Sequence, residues 1–142
     1  MYKRQAMKRR RCLIPADWFY EWKKLDAKTK QPYAIAMKDA ELFAFAGLWD
    51  KWKDKATGQT LETYTVITTD PNELMEPIHN RMPVILHRQD YERWLSPGDP
   101  AQLPVDLLRP YPVEAMKAWR VSSDGKRLRM AVWTRLGEDG HS

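Results

Sequence analysis

Between residues 12 and 86 the chain is cut into short apolar runs, each bounded by turn-forming residues. This punctuation limits the fold to short strands joined by tight connections. Residues 17–23 (DWFYEWK) are aromatic-rich and read as a strand. Residues 32–37 (PYAIAM) begin on a proline, tolerated where a strand starts. Residues 42–49 (LFAFAGLW) are apolar on both faces. They predict a strand covered on both sides, with Gly47 marking a bulge or a close approach. Residues 62–69 (ETYTVITT) form the clearest β-branched run. Between these, Ile14-Pro15-Ala16-Asp17 reads as a turn, residues 24–31 as a hairpin connection and residues 51–59 as a charged loop.

The second half mixes strands with short helices. Asp70 is placed to cap a helix that starts at Pro71 and runs to about Ile78. Residues 81–86 read as a strand, 87–95 as a helix with its lead-in, 96–100 as a loop and 101–108 as a helical segment. Residues 109–121 and 127–134 predict a further strand pair. Residues 1–11 lack apolar periodicity and read as an arm, and the tail from Gly137 as frayed. The chain carries no internal repeat and no low-complexity segment. The whole predicts one α+β domain, mainly antiparallel, with a few short helices.

Composition excludes several classes. At 142 residues, 43% hydrophobic and 30% charged, the chain is globular and the length of one domain. No apolar run approaches the ~18 residues of a membrane span. A single cysteine, Cys12, excludes a disulfide scaffold and a cysteine-based zinc site, and no secretory signal is visible. A reducing, cytoplasmic setting follows as the expectation. There is no glycine-rich phosphate loop, HExxH or GxSxG, and His79 and His87 make an unpersuasive metal pair, so neither cofactor nor metal is expected. No Ser/His/Asp or Cys/His arrangement for peptide hydrolysis is evident either.

Charge is uneven. Residues 1–30 hold ten Lys/Arg against three Asp/Glu, whereas residues 31–142 hold fourteen against sixteen. An N-terminal basic excess fits either an anionic partner, above all nucleic acid, or a solvated basic arm. Seven Trp and six Tyr fit either base stacking or core packing.

Three places can carry chemistry. Glu21 lies between Tyr20 and Trp22. Strand alternation would put it on the solvent face, while burial beside aromatic rings would raise its pKa as a general acid requires. His79 and Arg81 sit two apart at a helix-to-strand turn. They are either ordinary surface residues or a proton shuttle beside a phosphate fork. Cys12 follows Arg9-Arg10-Arg11, which would lower its pKa, and precedes Leu13-Ile14, which favours a buried apolar thiol.

Taken together and in order, these features are specific. Residues 10–22 (RRCLIPADWFYEW) resemble the RRCLIPADGFYEW block of the SOS-response-associated peptidase (SRAP) family. Ile67-Thr68-Thr69 with Asn72, followed by His79-Asn80-Arg81-Met82-Pro83-Val84-Ile85-Leu86, resembles that family's second block with its HxRMPxIL. The resemblance implies a single α+β domain with a curved, mainly antiparallel sheet or partial barrel and a positive groove. It implies recognition of abasic sites in single-stranded DNA. The family's nucleophile is the cysteine after the initiator Met, exposed by autoproteolytic removal of that Met. Its amine forms a Schiff base with the open-chain aldehyde, and its thiol closes a thiazolidine. Carried over, Glu21 and His79 handle the protons and Arg81 holds a phosphate. Thr68 and Asn72 line the site, and Trp18, Phe19, Arg10 and Arg11 contact DNA. The implied protein is a monomer of the bacterial cytoplasm, on the nucleoid during repair.

The departures matter equally. The chain starts Met1-Tyr2-Lys3-Arg4 where the family has Met-Cys-Gly-Arg, and Cys12 is internal, without a free amine. Trp18 replaces the usual Gly, and the late VSxxVN motif survives only as Val121-Ser122-Ser123-Asp124-Gly125. The expected division is an arm or foreign start over residues 1–8, the C-terminal two thirds of the family domain over 9–136, incomplete at its N-terminus, and a flexible tail over 137–142. Such a chain carries the acid–base half of the chemistry and forms no stable adduct. The alternative is a nucleophile-lacking module that binds single strands without covalent chemistry.

Overall fold

A computed structural model describes residues 2–122 of the chain. Two antiparallel sheets and a short two-stranded ribbon dominate it, with two short helices. The first sheet is built on β4 (Phe43–Lys53), which pairs with β1 (Arg11–Ala16) on one side. On its other side it pairs with β5 (Thr60–Val66) and, further along, with β8 (Ile85–Leu86). The second sheet has the order β2 (Trp18–Lys24), β3 (Lys30–Met37), β9 (Met116–Arg120). The ribbon pairs β6 (Thr68–Thr69) with β7 (Met82–Pro83). Helix α1 (Tyr2–Arg9) and helix α2 (Tyr91–Leu95) complete the fold. The class is α+β as expected, and no sheet closes into a barrel among the described residues.

Local expectations needed several corrections. Residues 2–9 are helical rather than irregular, and Ala6 is buried against the first sheet. Ala6 and the half-buried Met7 beside it dock the helix, too few apolar residues to show as a periodic stripe. Residues 14–16 continue β1, with Pro15 opposite Ala44. The strand lies at a sheet edge, where a missing N–H is tolerated, so the turn narrows to Asp17 between the two sheets. Strand β4 runs on through Lys51, Trp52 and Lys53, because these pair with Glu62, Leu61 and Thr60. The expected helix over residues 71–78 is a series of turns over 73–78, capped by Asn72 rather than Asp70: the Met75 N–H donates to Asn72 Oδ1 at 3.0 Å. The helical segment at 101–108 shrinks to one 3-10 turn, Val105–Leu107. Strand β9 pairs with β3, and residues 127–134 and the tail lie outside the described residues.

The run 62–69 breaks at Ile67 and the run 81–86 at Val84. There the backbones cross: Ile67 N donates to Ala46 O, Val84 N to Ile67 O, and Ala46 N to Val84 O, all at 2.8–3.0 Å. This crossing carries the chain from the first sheet into the ribbon.

Residues 43–48 of β4 are buried on both faces, as their composition predicts, whereas Leu42 and Trp49 at the ends of the predicted run are exposed. Phe43 and Phe45 join Ile14, Phe19, Ile35, Met37, Met75, Met82 and Met116 in a core between the sheets. Phe19, Phe43 and Phe45 meet edge to face, with centroids 5.3–6.4 Å apart. Ala46 and Leu48 project to the opposite face, into a second cluster with Ala6, Val84, Leu86, Trp94 and Leu107. Gly47 is the close approach: a Cβ there would meet Ile14 Cδ1 at 2.6 Å and Cys12 Sγ at 2.9 Å.

Candidate active site

Strand alternation places Glu21 on the same face of β2 as buried Phe19, opposite Tyr33 of β3. The solvent-face expectation is therefore reversed. Trp18, Tyr20 and Trp22 take the outer face, over the buried Ala34 and Ala36, and Glu21 sits at the core margin. Burial is the chief influence on its carboxyl and raises the pKa above the ordinary carboxylate value. Proximity of His79 and the Trp22 N–H, which donates to Glu21 Oε1 at 3.1 Å, both act in the opposite direction.

His79 arrives from the far side of the core. The turns after Asn72 sink Met75 and Ile78 into the core, and His79 follows with its N–H on Met75 O at 2.9 Å. Its Nε2 lies 3.9 Å from Glu21 Oε1. Both the N–H and the carbonyl of Arg81 lie 3.2 Å from Nδ1. The neutral ring accepts from that N–H, which leaves the Nε2 proton facing Glu21. The charged ring donates to the carbonyl, so it can change protonation state without leaving its seat.

Arg81 precedes β7, and the β6–β7 pairing brings it beside Thr68. Its guanidinium donates to Thr68 O at 3.0 Å, to Thr68 Oγ1 at 3.4 Å and to Asp70 Oδ1 at 3.0 Å. Arg81 and Thr68 are thus brought together, with Asp70 occupying part of the fork. They line a cavity of about 450 Å³ floored by Met7, Leu48, Ile67 and Leu108.

The remaining expected contacts are redistributed. Phe19 is a core residue and is closed to DNA. Trp18 faces away from Glu21, on the other side of β2. Arg11 is a structural strut. Its guanidinium donates to the carbonyls of Met7, Trp94 (2.6 Å) and Ser96, and stacks on Trp94 at 5.6 Å. Arg10 is paired with Asp50 at 3.6 Å. Asn72 bonds inside the fold rather than lining an opening. Cys12 is packed against the core and burial pushes its thiol pKa up, in line with the buried reading.

Residue-by-residue reading missed the cleft next to His79. Trp22, Lys23, Lys24, Glu76, Ile78 and Asn80 line a hollow of about 350 Å³ with it. The available signal was the Lys-Lys pair ending the strand that carries Glu21. Among the described residues no group of three or more His, Cys, Asp or Glu could hold a metal, and no helix is long and apolar enough to cross a membrane.

The fold is a two-sheet α+β domain in which a partly buried glutamate meets a turn histidine beside a cleft lined by Lys23, Lys24 and Glu76. The chain belongs to the SOS response associated peptidase (SRAP) family, whose model matches residues 1–126. It is 53% identical over 122 residues to the abasic site processing protein YoqW of Bacillus subtilis, covering 84% of this chain and 54% of that one. It is 36% identical over 129 residues to the abasic site processing protein HMCES of Xenopus tropicalis, covering 78% and 38%. A crystal structure of a Bacteroides thetaiotaomicron protein superposes with a TM-score of 0.77 at 33% identity, over 90% of this chain and 57% of that one. The chain spans about half the length of the curated bacterial relatives it matches.

Proposed function

We propose that this chain supplies the acid–base and strand-holding part of a protein that processes abasic sites in single-stranded DNA. The observation that carries this reading is the 3.9 Å approach of His79 Nε2 to a Glu21 carboxyl whose pKa is raised by burial. An abasic site exposes an aldehyde. Its condensation with an amine passes through a carbinolamine, which loses water only if its hydroxyl is protonated as it leaves. A carboxylic acid whose pKa is raised by its surroundings is suited to that step. His79 then takes up a proton at Nδ1, beside the Arg81 carbonyl, and passes the one on Nε2 to the spent carboxylate, while Arg81, Lys23 and Lys24 offer charge to flanking phosphates.

In the family resemblance, the amine and the thiol of the thiazolidine both come from a cysteine following the initiator Met. Cys12 cannot replace it: its nitrogen is an amide within β1, and its thiol is held against Ile14 and Gly47. Cys12 therefore cannot supply the amine of a thiazolidine. A chimera that adds the part of the Bacillus subtilis relative outside the matched region tests the reading. It should cross-link an abasic oligonucleotide on a denaturing gel, and E21Q or H79A should slow that reaction by about 10²–10⁴-fold, the usual range for a lost acid or base. Unchanged rates in both variants would sink the assignment.

The absence of a free amine at Cys12 favours a second reading, a binder of intact and abasic strands alike. Equal, salt-sensitive affinities for the two strands would support it.

A further inference from the structure

Every polar group of Asn72 is engaged within the fold. Its N–H points to Met82 Sδ at 3.2 Å, and its carbonyl accepts from Met75 and Glu76. Its side-chain Oδ1 accepts from Met75 N at 3.0 Å, while Nδ2 donates to Tyr111 O at 2.7 Å and approaches Met116 Sδ at 3.4 Å. One amide therefore joins the turns over 73–78 to the segment that leads into β9. Those turns end at His79, whose N–H returns to Met75 O, the residue Asn72 caps. On the other side, the Tyr111 ring is stacked on His87, with centroids 4.7 Å apart, which steadies the carbonyl that Asn72 grips.

We propose that Asn72 is a positioning residue: by capping the turns and clamping them to Tyr111, it sets the seat from which His79 meets Glu21. The inference rests on the proposed role of the Glu21–His79 pair and assigns Asn72 no contact with DNA. Met75 and Ile78 hold the turns in the core but do not fix their rotation about that anchor. A ring at the end of them is sensitive to a small rotation. The Arg81 backbone holds the ring itself, and the two ends of the Asn72 amide supply the directional bonds that fix the turns on each side.

The test reads the Glu21 titration by carboxyl-carbon NMR in the chain as it stands, with H79Q, N72G and N72S. Glycine is tolerated at a cap position, so N72G spares folding while removing both side-chain bonds. Serine restores the acceptor for the Met75 N–H. H79Q should move the Glu21 midpoint upward, because it removes a neighbour that favours the ionised form. N72G should move it upward by a similar amount, and N72S, which restores the cap but not the bond to the Tyr111 carbonyl, should return only part of it. A wild-type midpoint in N72G, with H79Q shifted, would overturn the role of Asn72 alone. A wild-type midpoint in H79Q would overturn the Glu21–His79 pairing itself, and this inference with it. If N72S recovers the shift fully, the bond to Tyr111 is idle, and if it recovers none, the cap is idle; either result overturns the two-ended clamp.

Discussion

His79 Nε2 stands 3.9 Å from Glu21 Oε1, although one residue lies on the innermost face of β2 and the other at the end of a turn packed from across the core. Each reached that contact through a neighbour that is buried for ordinary reasons: Phe19 two positions before Glu21, and Ile78 immediately before His79.

The raised Glu21 pKa has a consequence for stability. Between the ordinary carboxyl value and the higher folded one, the native state binds more protons than the unfolded state, so stability falls as pH rises through that window. Glu21→Gln should therefore melt higher than the wild type at neutral pH, by a few degrees at most for a domain of this size. The difference should close below the ordinary carboxyl pKa. Melting curves across pH check the sign, and a glutamine variant that melts lower at pH 7 contradicts it.

Gly47→Ala should destabilise by about 1–3 kcal/mol, the usual range for overpacking. The new methyl would meet Ile14 Cδ1 at 2.6 Å, and β1 and β4 are hydrogen-bonded there and cannot separate freely. Trimming the obstruction with Ile14→Val in the same chain should recover part of the loss, measured by urea denaturation.

Arg11→Ala should cost stability, not DNA affinity. Three backbone carbonyls and the Trp94 ring lose their partner, and a hydrogen bond to a charged group contributes about 1.5–3 kcal/mol. The salt dependence of single-strand binding should stay unchanged. A shallower slope with an unaltered melting point would return Arg11 to the DNA surface.

Asp70→Asn should strengthen single-strand binding and steepen its salt dependence. The carboxylate now takes one arm of the Arg81 fork, in an exposed pair whose own contribution to stability is about 0–1 kcal/mol. Freed, Arg81 can add about one phosphate contact, worth a slope change of about 0.7 on a double-logarithmic salt plot. Titrations at several salt concentrations check it, and Arg81→Ala should change the slope in the opposite direction.

Much of this protein was legible in its residue order, because the strands that matter are short-range statements. The run 42–49 announced a strand buried on both faces, and alternation delivered its phenylalanines to one cluster and Ala46 and Leu48 to the other. The motif around Glu21 and His79 marked both residues before any distance was known. Misreadings arose where a distant partner decided the outcome. Pro15 looked like a turn because its partner Ala44 is remote in sequence, and residues 51–53 looked like a loop because their charges hid the pairing with residues 60–62.

Sequence alone thus determined the class of fold, the family and which glutamate and histidine are proposed as the acid–base pair, since each is written in local pattern and side-chain type. Tertiary structure decided which face of β2 carries Glu21, that Arg11 and Phe19 serve the core, and that Asn72 ties the His79 turns to Tyr111. A one-residue change of phase exchanges the two faces of a strand, and neither the aromatic neighbours of Glu21 nor its charge fixes that phase. It is set by where Phe19 finds Phe43 and Phe45, a contact between sheets that no short stretch of residues contains.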